Sequence, residues 1–559
     1  MFQDFEEKLD QYVQSLDILD SPLRSVLTYY FTLFSQPYIE KAVSGTWGDR
    51  ELADCLKGRF SYILPMLEEC SKRPWGSSAM DALSVVDDGF RSKAVDLINY
   101  GHFCEIAPFY WRGFYEECEE GGDVFLSFKD EAVRGFEEKD IVLTRLTGAL
   151  SFSPPPVFSN YIYHVLSVSP GVAVYEHCMD WVVARHFEWF KENFDESQFL
   201  SKEAYYWSLG VSEREFVDFR SSCLAFAQFH IDVLFLIGRR IRNGVLDEDF
   251  YHAELLEWCA PCLDRNAFKD IIMKYSGISK ESYNSLMRVY SYSFDDTDSV
   301  VGEGYVPPFM FSGDTCIFCP LLVMHMMSSR NILYYTLKSN SKLFDNKVSP
   351  HLEPALVDAA AELFERVKGV EVVKNHEWGR GEFDLLLYSQ DENSAVHVQA
   401  KATMPPEGAR MVSRLEGRIQ EAISQLGKFD SLCEVEKDQV LSRALGRKVE
   451  GVKVSNSVLS WSGFGTFKLW EKMDEIAPVN VVMLDILTRR EDFKLSDFCN
   501  RVHGLVDELV DASNVKCEEV KLEVGRDCIS FPVINLNFLS LYKYKDKCLS
   551  GGGLINLVV

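Results

Sequence analysis

The chain contains the stretch Gly-Glu-Phe-Asp-Leu-Leu-Leu at residues 381–387 and the stretch Val-His-Val-Gln-Ala-Lys at residues 396–401. Both are typical of β-strands, since the first is an apolar run after a glycine and the second alternates apolar with polar residues. The polar segment 389–394 separates them and suits a turn. We therefore predict a β-hairpin around which the neighbouring chain folds.

This hairpin places three polar side chains on neighbouring strands. Pairing of the strands brings the carboxylate of Asp384 beside Gln399 and Lys401, which lie on the polar face of the second strand. Mg²⁺ prefers oxygen ligands and keeps several waters, and a nearby lysine can orient or deprotonate one of those waters. The three residues are therefore candidates for a site that holds a hard divalent cation and activates water.

An aspartate followed, after a strand and a turn, by x-x-Lys resembles the signature of the PD-(D/E)XK nuclease superfamily. Gln399 in place of the second acid is similar to the Mrr-type branch. The amino-acid sequence of both strands is similar to that of nuclease-related (NERD-like) domains. The resemblance covers residues 350–489. It implies an α/β restriction-endonuclease-like fold with a mixed central sheet, Mg²⁺ or Mn²⁺ as cofactor, and Asp384, Gln399 and Lys401 as catalytic residues, the first two on the metal. Alternatively, Asp384 is a turn residue, and Gln399 and Lys401 form the solvated face of an edge strand.

The segment 352–368 has apolar residues at helical spacing and predicts a helix before the hairpin. Glu353 falls within the apolar arc of this helix, whereas Glu362 falls outside it. A carboxylate that points towards a core is unfavourable unless it is paired or binds a metal, and the resemblance implies a metal-binding glutamate on this helix. Glu353 is therefore the candidate metal ligand and catalytic residue, with Glu362 in reserve. Alternatively, Glu353 next to Pro354 is a first-turn acid that favours the helix dipole.

After the hairpin, residues 409–429 predict a second helix with a basic stripe. Arg410, Arg414 and Arg418 follow each other at intervals of four residues, and Gln425 continues the stripe. Arginines at this spacing can bind successive phosphates of a nucleic acid. The alternative is a solvated face with arginine–glutamate pairs. RecB-like members of the superfamily carry Gln-x-x-x-Tyr on this helix, and the segment from Gln425 to Phe429 is similar but lacks the hydroxyl.

Composition narrows the class of protein. The chain has 559 residues and a net charge of −27, which argues against general coating of nucleic acid or anionic membrane, so a nuclease of this charge must use a local basic patch. The first residues do not resemble a secretory signal, no apolar run is long enough for a membrane span, and 15 scattered cysteines favour a reduced, cytoplasmic protein.

Two Cys-x-x-Cys pairs, at Cys259 and Cys262 and at Cys316 and Cys319, could be read as a zinc site. Their separation is much longer than in a zinc ribbon, and a redox pair would need a strand–helix context. We therefore expect these thiols to be packed as small apolar side chains, without zinc.

These patterns divide the chain into an α-helical domain at 1–250, a helical connector at 251–348, a nuclease-like α/β domain at 349–490 and a C-terminal α/β extension of that unit at 491–559. The expected function is metal-dependent hydrolysis of nucleic acid, with DNA favoured, as in an effector of bacterial defence. The helical region would select a protein partner or self-associate. The rival is a nuclease-like fold without turnover that binds nucleic acid or protein.

Overall fold

The computed structural model describes residues 2–45, 50–70, 86–120, 123–148, 172–193, 202–244, 255–296, 299–302, 304–403 and 409–549. Three consecutive prolines at 154–156, which predict a turn between helical segments, lie outside them.

The described part of the chain before residue 245 is largely helical, as predicted. Its longest helix, α8, begins at a capping box between Ser212 and Glu215 and is buried along most of its length against α2 and α6. By length and composition α8 could cross a membrane, but 89% of its apolar window is buried inside the protein, as expected for a core helix. The helices are α1 (Phe2–Gln14), α2 (Leu23–Ser44), α3 (Arg50–Ile63), α4 (Asp88–Trp111), α5 (Glu131–Gly148), α6 (Val172–Glu192), α7 (Lys202–Leu209) and α8 (Glu213–Arg242).

A hairpin of β1 (Tyr115–Glu120) and β2 (Asp123–Phe128) interrupts these helices within the region predicted as an α-helical domain at 1–250. The strands β12 (Lys516–Val524) and β13 (Asp527–Asn535) complete its sheet, in the order β1-β2-β13-β12. The C-terminal strands therefore do not extend the nuclease-like sheet, contrary to prediction. Helix α18 (Phe498–Ala512) does pack against that sheet, and α19 (Phe538–Leu549) follows β13.

The predicted helical connector contains a small four-stranded sheet of order β3-β6-β5-β4, so this prediction is wrong in part. Short apolar strands such as Phe309–Ser312 bury nearly all their side chains between the helices. The elements are β3 (Cys262–Asp264), α9 (Arg265–Ser276), α10 (Lys280–Tyr290), β4 (Ser291–Ser293), β5 (Phe309–Ser312), β6 (Thr315–Phe318), α11 (Pro320–Met326) and α12 (Ser329–Ser339), followed by short helical turns at Ser341–Leu343 and Phe344–Val348.

The predicted hairpin is confirmed, and it lies inside a five-stranded mixed sheet of order β11-β10-β9-β8-β7. Strand β10 runs parallel to β9 and is reached through α14 and α15, since parallel neighbours need a crossover. All eight residues of β9 are buried, Lys401 to 3% exposure, so the solvated edge strand is ruled out. The elements are α13 (Ser349–Phe364), β7 (Val370–Glu377), β8 (Glu382–Ser389), β9 (Ser394–Lys401), α14 (Ala409–Asp430), α15 (Glu434–Ala444), β10 (Lys453–Ser460), α16 (Phe467–Trp470), β11 (Ile476–Asn480) and α17 (Val481–Thr488).

The apolar run 479–487, whose pattern also suits one buried strand, is the end of β11 followed by α17. Asn480 ends the strand and caps the helix, because its side chain accepts a hydrogen bond from the N–H of Met483 at 2.9 Å. A short apolar run fits a buried strand and a buried helix equally well, and here the cap decides.

Candidate active site

Asp384 near the start of β8 and Lys401 at the end of β9 meet at one end of the sheet, because the two strands are antiparallel. The carboxylate of Asp384 accepts a hydrogen bond from the N–H of Ala400 at 2.8 Å. Asp384 is 8% exposed and Lys401 is 3% exposed. The fold thus brings the carboxylate of Asp384 and the ammonium group of Lys401 together in a largely buried position.

The surroundings of Asp384 raise the pKa of its carboxyl group. Burial raises the pKa of this carboxyl to about 6; the hydrogen bond from Ala400 and the charge of Lys401 oppose the rise, and the charges of Glu353 and Glu382 add to it. Asp384 is therefore ionised at neutral pH, at a cost that a bound cation would offset.

Glu353 reaches this site from the first turns of α13. Its Oε1 lies 3.4 Å from Nζ of Lys401, and its Oε2 lies 3.7 Å from Nη2 of Arg418 on α14. Oε2 is buried and has no hydrogen-bond donor among the described residues. Glu362 is exposed on the same helix. Of the two glutamates considered, Glu353 is therefore the one that the fold places beside Asp384.

Gln399 does not join this group. Its Nε2 donates a hydrogen bond to the backbone carbonyl of Glu382 at 2.6 Å and lies 3.2 Å from Nε2 of His397. The ring of His397 packs against Phe383 and Phe429, at 4.7 and 5.4 Å between centroids. Gln399 therefore lies on the side of the sheet that carries this aromatic cluster.

A local distortion of the hairpin explains the separation. In a regular strand Phe383 would share a face with Leu385, but it packs with Leu386 in the aromatic cluster, whereas Leu385 packs in the main core. Asn375, on the neighbouring strand, has a left-handed backbone with φ of 51°. The turn of Phe383 to the aromatic side leaves Asp384 on the side of α13.

A cleft of about 450 Å³ opens over Asp384. Two residues that the sequence analysis missed, Asn375 and Glu382, line it; the signal for Glu382 was its position two residues before Asp384. Gln399 and Lys401 do not line the cleft. The described residues that do are Ser349, Pro350, Glu353, Pro354, Val357, Asn375, Glu382, Asp384 and Arg418.

The basic stripe reaches the cleft through one residue. Arg418 lines the cleft and pairs with Glu421 at 2.9 Å as well as with Glu353, and Arg414 is exposed. The side chain of Arg410 lies outside the described residues. Gln425 is half-buried, and Phe429 is fully buried in the aromatic cluster, where its ring packs rather than contacting a ligand.

The Cys-x-x-Cys thiols are buried among apolar side chains, apart from the half-buried Cys262. Burial raises the pKa of Cys259 and of Cys316; the charge of Cys319 adds to the rise at Cys259 and the charge of Cys262 adds to the rise at Cys316, so the interacting thiols come from different motifs. Within the described part of the chain, no group of three or more His, Cys, Asp or Glu side chains is close enough to hold a metal ion.

Comparisons with protein-family models, with curated proteins and with solved structures find no match for this chain. A function must therefore be inferred from the residues of the cleft and from the motif that places them there.

Proposed function

We propose that the chain is a divalent-cation-dependent nuclease whose residues 349–490 form a restriction-endonuclease-like domain. The convergence of Asp384, Glu353 and Lys401 from three separate elements at one end of the sheet carries this proposal. The order of elements supports it: a helix with a glutamate, the hairpin, the helix with arginines, and later strands that extend the sheet.

The donor set suits a hard cation. Asp384 and Glu353 would hold it, since both offer carboxylate oxygens and Oε2 of Glu353 lacks a hydrogen-bond donor. Bound there, Mg²⁺ supplies a Lewis acid and lowers the pKa of a coordinated water. Gln399, expected as a ligand, would instead hold the backbone of Glu382 in place.

Lys401 would orient the attacking water and stabilise the charge that develops on the phosphate. Its ammonium group is held by Glu353 and lies close enough to Asp384 to lower the pKa of that carboxyl. A lysine with so little solvent around it interacts strongly with nearby charges, because water screens them weakly.

Cleavage assays test the proposal. Linear, circular and single-stranded DNA and RNA are incubated with Mg²⁺, Mn²⁺ or EDTA, and we expect cleavage that EDTA abolishes. Cleavage that persists in EDTA would remove the metal from the proposal. Binding without cleavage of any of these substrates would favour the rival, a capture module, which the turned-away Gln399 supports because the site then has fewer oxygen ligands.

The affinity for the cation should depend on pH through Asp384. Its pKa of about 6 means that protons compete with the metal below pH 6. We expect Mn²⁺ affinity, measured by calorimetry, to be constant above about pH 7 and to fall about tenfold per pH unit well below pH 6. Glu362→Gln should keep this profile, and Asp384→Asn should lose most of the affinity. An unchanged affinity in Asp384→Asn would remove Asp384 from the metal site.

Arg414 and Arg418 would bind the phosphate backbone. Replacing both with Ala should weaken nucleic-acid binding and reduce the slope of log affinity against log salt by about 1.5, since fewer counterions are released. The control removes two exposed charges just after the end of α13, Arg366→Ala with Lys368→Ala. Equal slopes for the two double variants would mean that the arginine stripe is a solvated face that does not bind phosphates.

A further inference from the structure

An aromatic surface lies beside the cleft, where α7 meets the start of α13. Tyr206 on α7 is 67% exposed, and the ring of Trp207 lies 4.8 Å from the imidazole of His351, with 37° between the planes. The inner side of α7 is already filled by Tyr205, which is buried against Phe216. Tyr206 is therefore an aromatic side chain that the core does not need.

This surface is continuous with the cleft. His351 lies on the first turn of α13, between Pro350 and Pro354, which line the cleft, and two residues before Glu353. The helical turn Phe344–Val348 packs against α7 and leads into α13. The aromatic side chains therefore lie next to the residues that form one wall of the cleft.

The charge nearby suits an anionic chain. Lys342 and Lys347 are exposed in the turns before α13, and no described residue forms an ion pair with either. Asp345 is the acid in the same segment. The segment thus carries two lysines against one aspartate, in a chain with a net charge of −27, and basic residues together with accessible aromatic rings are found where proteins bind single-stranded nucleic acid.

We propose that Tyr206, Trp207 and His351 form a stacking platform for unpaired nucleobases, so that substrate enters the cleft as a single strand or an unpaired end. The inference rests on the proposed nuclease function and names its substrate class. Aromatic rings stack on any base but require its face to be free, which a duplex does not allow along its length. Lys342 and Lys347 contact the phosphates of the same strand.

Binding in EDTA, without cleavage, tests the platform. Anisotropy is measured with a single-stranded oligonucleotide, the same strand with abasic sites, and a duplex. The wild type should bind the base-containing strand about tenfold more tightly than the abasic strand. Tyr206→Ala and Trp207→Ala should each reduce this preference while leaving affinity for the abasic strand unchanged. Trp181→Ala, which removes an exposed indole from α6, is the matched control.

Tyr206 is so exposed that its replacement should not affect folding, which keeps the test valid if Trp207→Ala is unstable. Equal binding of base-containing and abasic strands by the wild type would overturn the platform, as would the same loss of preference in Trp181→Ala. Cleavage without a preference for base-containing strands would contradict the platform but not the nuclease function. A preference for base-containing strands without cleavage would contradict the nuclease function but not the platform.

Discussion

Replacing Lys401 with Ala should lower the cleavage rate about 10²–10³-fold while nucleic-acid and metal binding stay within a few fold, as expected for the loss of one preorganised charge. In the proposed mechanism the side chain acts on the attacking water and on the charge of the transition state, and these interactions contribute little to ground-state affinity. Lys401→Met retains most of the apolar stem and tests whether lost packing explains the effect. Single-turnover cleavage and separate binding titrations provide the measurement.

Asp384→Asn should behave differently from the lysine variants. It removes the charge of the proposed metal ligand and should abolish cleavage through loss of metal affinity, while Glu362→Gln on the outer face of α13 should leave cleavage and metal affinity unchanged. Burial raises the pKa of Asp384, so the neutral amide should also raise the free energy of unfolding at pH 7 by about 1–2 kcal/mol. If Lys401→Met cleaves like the wild type, Lys401 has no catalytic role.

The sequence predicted the part of the site that depends on local pattern. The hairpin pattern was sufficient to bring Lys401 and Asp384 to the same end of the sheet, and the position of Glu353 in an apolar arc was sufficient to direct it at the sheet. The prediction placed Gln399 beside Asp384 because strict alternation assumes that the neighbouring strand, β8, is regular. The packing of Phe383 into the aromatic cluster breaks that regularity, and this packing depends on Phe429, which is distant in sequence.

Long-range strand pairing accounts for the other errors. The hairpin β1–β2 is rich in glutamate and carries no clear strand pattern, yet it is paired with β13 from the far end of the chain. Strand partners four hundred residues apart leave no local signal, since each supplies only half of a buried surface. The sequence therefore indicated separate helical and C-terminal regions where the structure has one shared sheet.

A second contact joins the helical region to the sheet of the cleft. Asp140 on α5 is half-buried, and its Oδ1 accepts hydrogen bonds from the backbone N–H groups of Phe464 and Gly465 at 2.6 and 3.0 Å and from the indole of Trp470 at 3.2 Å. Gly465 has φ of 105°, which a side chain would strain. The loop after β10 is thus shaped around one carboxylate of the helical region.

Asp140→Ala should therefore lower the free energy of unfolding by about 3–4 kcal/mol, because it leaves buried donors without an acceptor. Asp140→Asn keeps an acceptor oxygen and avoids the cost of ionising a poorly solvated carboxyl, so at pH 7 it should be at least as stable as the wild type. Burial raises the pKa of Asp140 from 3.8 to about 6, so the wild type loses stability as the pH rises from about 4 to 6, and the Asn variant lacks this loss. Urea unfolding at pH 5 and 7 measures both effects. Equal destabilisation by Ala and Asn would mean that the carboxylate, rather than its acceptor oxygen, holds the loop. If the Ala variant is strongly destabilised and the Asn variant is not, α5 and the sheet of the cleft unfold together, because the hydrogen bonds lost in the Ala variant join only these two parts.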